Sequence, residues 1–188
     1  MQNEKLRHTN YQMDSKESNP DRKWKFKNFI PSIIYGLALI IQIILVFFFY
    51  NFYHLELLLW VGWLILILFL FIGALPRQAF TKYGEAPQGK SHIYTTKLVD
   101  KGIFAIIRHP YWLSWILLSI ALTLMSQHLT MIILALIICP TVYFETYNLD
   151  KGTIEKFGSS YKLYMNKVPR MNLIYGIFKY MLNQRKKK

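Results

Sequence analysis

Residues 29–50 read FIPSIIYGLALIIQIILVFFFY and residues 57–75 read LLLWVGWLILILFLFIGAL, and neither run contains a charged residue. Few folds accept such runs. A hydrocarbon core roughly 30 Å thick is crossed by about 20 apolar residues in a helix, and a helix satisfies its own backbone hydrogen bonds there. Two shorter apolar blocks follow, YWLSWILLSIALTLM at 111–125 and LTMIILALIICPTVYF at 129–144. The connections NFYHLE and SQH are too short for anything but tight turns between antiparallel neighbours. The expectation is an all-α integral membrane protein. It has about four transmembrane helices in two hairpins, over 29–50, 57–75, 111–125 and 129–145, with Pro140 kinking the last.

The charges test this topology. Seven Lys and Arg precede the first block, six lie between the second and third, and ten follow the fourth, which accounts for all 23. Neither outer turn carries one. The positive-inside rule therefore puts both termini and the middle loop in the cytoplasm, with the chain in a plasma or inner membrane, and requires an even number of spans. The net charge of +13 is matched by anionic inner-leaflet lipid and needs no nucleic acid. Residues 1–28 read as a cytoplasmic arm, 29–170 as the membrane domain, and 171–188 as an amphipathic basic tail. Within the tail, apolar residues at 171, 174, 178 and 181 share a face ahead of QRKKK, the pattern of an interfacial helix. Oligomeric state is not legible.

Other classes are excluded by what is missing. Cys139 is the only cysteine, so there is no disulfide framework. The five histidines show no metal-ligand spacing, and no metal is expected. No Gly-x-Gly-x-x-Gly follows a strand, which argues against a soluble dinucleotide-binding fold.

The chemistry concentrates in the middle loop and after the fourth block. PRQAFTKYGEAPQGKSH reads as irregular, and IYTTKLVDKGIFAII as extended or packed, with a turn at Asp100-Lys101-Gly102. Arg108-His109-Pro110 then opens the third apolar block. Proline suits the first turn of a helix, so His109 stands at the helix mouth. Arg108 adds a full positive charge to the free N–H groups there. Together they suit an anion, although an arginine at a membrane boundary also serves as a topology marker. Glu145, Asp150 and Glu155 are carboxylates on the same basic side. Tyr111, Trp112 and Trp115 read equally as an interfacial aromatic belt.

The ordered combination TTKLVDKGIFAIIRHPYWLSW, an apolar hairpin and EKFGSSYKLYMNKVPR resembles the isoprenylcysteine carboxyl methyltransferase and phospholipid methyltransferase family, over roughly residues 60–176. Leu98, Val99, Gly102 and Phe104 match one motif, and Arg108, His109 and Pro110 the signature triplet. Phe157, Gly158, Tyr161, Tyr164, Val168 and Pro169 match the C-terminal pattern. Trp112 stands where the family has Tyr and Ser114 where it has Gly. The family's Glu-Glu pair falls on Leu149 and Asp150, with Glu145 one turn away on the face of residue 149.

The resemblance implies a membrane enzyme that moves a methyl group from S-adenosylmethionine to a lipophilic acceptor: a prenylcysteine-like carboxylate, a lipid amine or a related amphiphile. It implies a cofactor pocket built from Thr96, Lys97, Leu98, Val99, Phe104, His109, Pro110, Tyr111, Trp112 and Asp150. Arg108, Asp150 and Glu145 are the catalytic candidates. Arg108 and His109 suit the cofactor's carboxylate or, for Arg108, an acceptor carboxylate. Asp150 or Glu145 suits its ammonium, and Phe104, Tyr111 and Trp112 its sulfonium and adenine. Two rival readings stand beside it, a degenerate non-enzymatic member that binds lipid or cofactor, and a membrane lipid reductase.

Overall fold

The computed structural model describes residues 30–84, 95 and 97–185. The arm at 1–28, Thr96 and the last three lysines lie outside these residues. The elements are α1 (Ile30–Phe48), α2 (Glu56–Tyr83), a 3-10 turn (Gly102–Ala105), α3 (Pro110–Ser126), α4 (Leu129–Lys167) and α5 (Leu173–Arg185). Among the described residues every regular element is a helix. Three of them, α1, α2 and α4, are long and apolar enough to cross a membrane, and α3 is a shorter apolar helix.

The described chain forms two compact units that interleave along the sequence. One comprises 30–75 and 110–147, the other 76–84, 95, 97–109 and 148–185.

The first unit has an apolar core that includes Leu39, Leu59, Leu118 and Ile138, and it also exposes large apolar side chains and buries polar ones. Phe47 is 81% exposed, Leu57 77% and Leu136 69%, while Gln42, Ser119 and Ser126 are fully buried. Close approach at small residues and hydrogen bonds add to that core, the contacts by which helices associate where the surroundings are apolar. A side chain at Gly62 would run into Met125 and the backbone of Ala121. Gln42 Nε2 donates to the Ser119 carbonyl at 3.1 Å and to Thr123 Oγ1 at 2.9 Å, linking α1 to α3. The two turns are locked by Gln127. Its Nε2 donates to Asn51 Oδ1 and the Leu55 carbonyl, while its Oε1 accepts from the Leu55 amide.

The second unit is a small conventional core. Ala79 packs with Val99 and Phe104, and Tyr161, Tyr164 and Val168 pack with Leu98, Ile154 and Phe157. The Tyr164 hydroxyl donates to the Phe104 carbonyl at 2.6 Å, joining the loop to the C-terminal stretch.

One expectation is corrected. The irregular segment expected from residue 76 is helical as far as Tyr83, and Pro76 lies inside α2. Proline removes one donor there, but Ala79 and Phe80 gain burial against Phe104 and Val99 by staying helical. α4 is broken at Gly158 (φ 56°, ψ −132°), and Pro140 lies inside its helical part. The 39 residues of α4 are therefore two helical pieces joined at that glycine. Its uncharged part, 129–144, is the stretch suited to lipid, and residues 148–167 belong to the second unit.

The Gly158 conformation is open almost only to glycine, yet nothing lies within 4 Å of a Cβ placed there. Gly158→Ala therefore meets backbone strain without a clash. It is expected to cost about 1–3 kcal/mol, read as a lowered unfolding midpoint in detergent.

Candidate functional site

Asp150 in α4 is almost fully buried, and four side chains converge on its carboxylate. Arg108 Nη1 lies 3.1 Å from Oδ2 and Arg170 Nη2 2.9 Å from the same oxygen. His109 Nε2 lies 2.8 Å from Oδ1, and the Tyr161 hydroxyl donates to Oδ1 at 2.5 Å. These residues come from three segments, 108–109, 150–161 and 170, and 41 residues separate His109 from Asp150. The backbone brings two of the segments together, with the Arg108 amide donating to the Pro169 carbonyl and the His109 amide to the Arg170 carbonyl, both at 3.0 Å. Gly176 seats α5 against this pair of segments, because a Cβ there would overlap the Ile106 carbonyl oxygen.

A buried ion is tolerated when its charge is paired and its hydrogen bonds are made. Asp150 meets both conditions. Burial alone raises its carboxyl, but hydrogen bonds from His109 and Tyr161 and the charge of Arg108 outweigh that and leave it below its ordinary value. Burial lowers His109, and the two arginine charges add to that effect against the pull of Asp150. A neutral imidazole thus donates Nε2–H to the carboxylate. Burial and the bond to Asp150 raise Tyr161, which keeps its proton and donates.

Two guanidinium groups face one carboxylate, so the cluster carries a net charge of +1 with His109 neutral. Arg108 Nε is buried and makes no hydrogen bond among the described residues. A buried donor left over in a positively charged cluster is a place for an anion.

The sign of the pH response follows. The folded values of His109 and Asp150 both lie below their unfolded values, about 6.5 and 3.9. At low pH the unfolded chain therefore binds protons that the folded chain refuses. Stability from His109 is complete above about 6.5 and declines as pH falls toward its folded value; that from Asp150 declines below about 3.9. Unfolding midpoints taken against pH should lose the upper part of this decline in His109→Gln.

Of the sequence candidates, Arg108, His109 and Asp150 meet in the cluster. Leu98, Val99 and Phe104 pack the loop beneath it, and Lys97 is exposed. Thr96 lies outside the described residues. Pro110, Tyr111, Trp112 and Glu145 belong to the other unit. There Pro110 begins α3, Trp112 meets Tyr35 edge to face with ring centroids 5.8 Å apart, Tyr111 is half-exposed and Glu145 is buried. Asp150 already accepts two bonds on each oxygen, so here it holds arginines, where the sequence suggests an ammonium. Arg170 has no role in the sequence reading, and its only signal is its place directly after the matched Val168-Pro169. The chain matches no family model, no curated protein and no solved structure.

Proposed function

We propose that this chain is an integral membrane methyltransferase of the isoprenylcysteine carboxyl and phospholipid methyltransferase kind. It moves a methyl group from S-adenosylmethionine to a lipophilic acceptor. One observation carries the reading: the two separated halves of the motif meet on one carboxylate. Arg108 and His109 come from the first half, and Asp150, Tyr161 and the Val168-Pro169-Arg170 stretch from the second. The cluster is a reason for the ordered pattern to exist.

The proposed topology has four spans with both termini in the cytoplasm. The absence of Lys and Arg from both outer turns supports an even count. At 17 residues α3 is about 25 Å long, and local thinning of the bilayer accommodates that deficit at modest cost.

The residues present fit the cofactor at one end. A positive cluster with an unused buried donor on Arg108 suits its carboxylate. When bound, S-adenosylmethionine supplies an activated methyl on a sulfonium, and little covalent chemistry is left to the protein. In this reading Arg108 binds and orients the anionic end. Asp150 is a positioning residue that holds Arg108 and Arg170 in place, and Tyr161 and His109 hold Asp150. Alignment of donor and acceptor then lowers the barrier. The closed coordination of Asp150 also favours a second reading, a protein that binds the cofactor or a lipid anion without turning it over.

Calorimetric titration of the detergent-purified protein with S-adenosylmethionine tests this. Arg108→Lys keeps a charge beside Asp150 and loses the guanidinium Nε. It is expected to weaken binding about 10- to 100-fold, the value of a hydrogen bond to a charged group. Absence of binding to the folded wild-type protein overturns the cofactor assignment. Binding without methyl transfer to prenylcysteine or lipid-amine acceptors selects the second reading.

A further inference from the structure

Successive residues of a helix are turned by about 100°, which sorts the residues of α5 into two faces. Gly176 is buried, and the near-overlap with Ile106 makes its face the one packed on the protein. Asn183 lies on that same side of the wheel. The opposite arc holds Ile174, Phe178 and Met181 at its centre, flanked by Ile177 and Leu182. Ile174 is 85% exposed, Phe178 60% and Met181 54%. Arg185 lies on this arc at the end of the helix, and Lys186-Lys187-Lys188 follow in the sequence.

We propose that α5 docks on an anionic bilayer surface, with Ile174, Phe178 and Met181 inserted at the headgroup boundary and its basic end on anionic lipid. Three observations select this occupant. The apolar arc faces directly away from the Gly176 contact, as a helix lying flat on a surface requires. The basic residues gather where the arc ends, which complements an anionic surface and gives a neutral partner no advantage. The chain also carries three helices compatible with a membrane, so a bilayer is already at high effective concentration. Ile106, on which Gly176 rests, is two residues before Arg108. A surface that fixes α5 therefore also steadies the segment carrying that arginine. The proposal is independent of methyl transfer and stands or falls separately from it.

The test uses the full chain in a Cys139→Ser background, with a nitroxide on Phe178→Cys or, as the control, Asn183→Cys. The protein is reconstituted into vesicles of equal parts phosphatidylcholine and phosphatidylglycerol. Residue 178 should be several-fold more accessible to oxygen than to a water-soluble nickel chelate, with the reverse at 183. The preference at 178 should weaken in pure phosphatidylcholine. Equal accessibility at the two positions overturns the proposal. Dipolar broadening at 178 that vanishes on dilution with unlabelled protein also overturns it, because a second copy then covers the face.

Discussion

Asp150→Asn is expected to destabilise the folded protein by about 3–5 kcal/mol, the cost of leaving a buried charge without its partner. The substitution keeps the side chain's shape, so no cavity is created. What it removes is the negative charge that Arg108 and Arg170 share at Asp150, the two side chains being 8% and 16% exposed. An amide also offers one acceptor oxygen where four donors now share two. Tyr161→Phe is the internal comparison. It deletes a single donor to the same carboxylate and should cost only about 1 kcal/mol. Unfolding of both variants in detergent, followed by circular dichroism, measures the difference. If the two variants lose equal stability, the carboxylate is not the anchor of the arginines.

Gly176→Ala should also destabilise, by about 1–3 kcal/mol, the range for forcing extra atoms into a packed site. The sign is the informative part. Glycine inside a helix ordinarily costs about 1 kcal/mol relative to alanine, so an unconstrained Gly→Ala change stabilises. At Gly176 the obstacle is a backbone carbonyl, that of Ile106, which cannot rotate away as a side chain can. Either α5 or the segment before Arg108 must move. Binding at Arg108 should therefore weaken, although Gly176 makes no bond to the cluster. Gly36 in α1 is the control, with nothing within 4 Å of a Cβ, and Gly36→Ala is expected to be neutral or mildly stabilising. Thermal melts of the two variants that move in the same direction would remove the close packing of α5 as the cause.

Much of the architecture was legible in the chain. Charge-free runs long enough for a bilayer and the short turns between them need no tertiary information, because lipid imposes the same rule on every such segment. The positions of α1, α3 and the apolar part of α4 follow within a residue or two. The extension of α2 past Pro76 was not legible. Residues 76–83 are ambiguous by propensity, and their state depends on a surface supplied by Val99 and Phe104 from elsewhere in the chain. Gly158 was visible as an interruption, but a glycine can be a break or an ordinary helical residue, and only the observed backbone angles decide.

The candidate site divides in the same way. Arg108, His109 and Asp150 could be picked out because unlike residue types stand beside apolar blocks in an ordered pattern. Arg170 could not, since its place directly after Val168-Pro169 is its one local signal and does not distinguish a site residue from the other cations after the fourth block. Its role comes from pairing of residues 169–170 with 108–109, a contact across some sixty residues. The sequence by itself determined which segments are apolar enough to cross a membrane, because hydrophobicity and charge act locally and add along the chain. Only the tertiary structure decided which groups share one buried carboxylate, because ion pairing in a low-dielectric interior depends on distances of a few ångströms between residues remote in the chain.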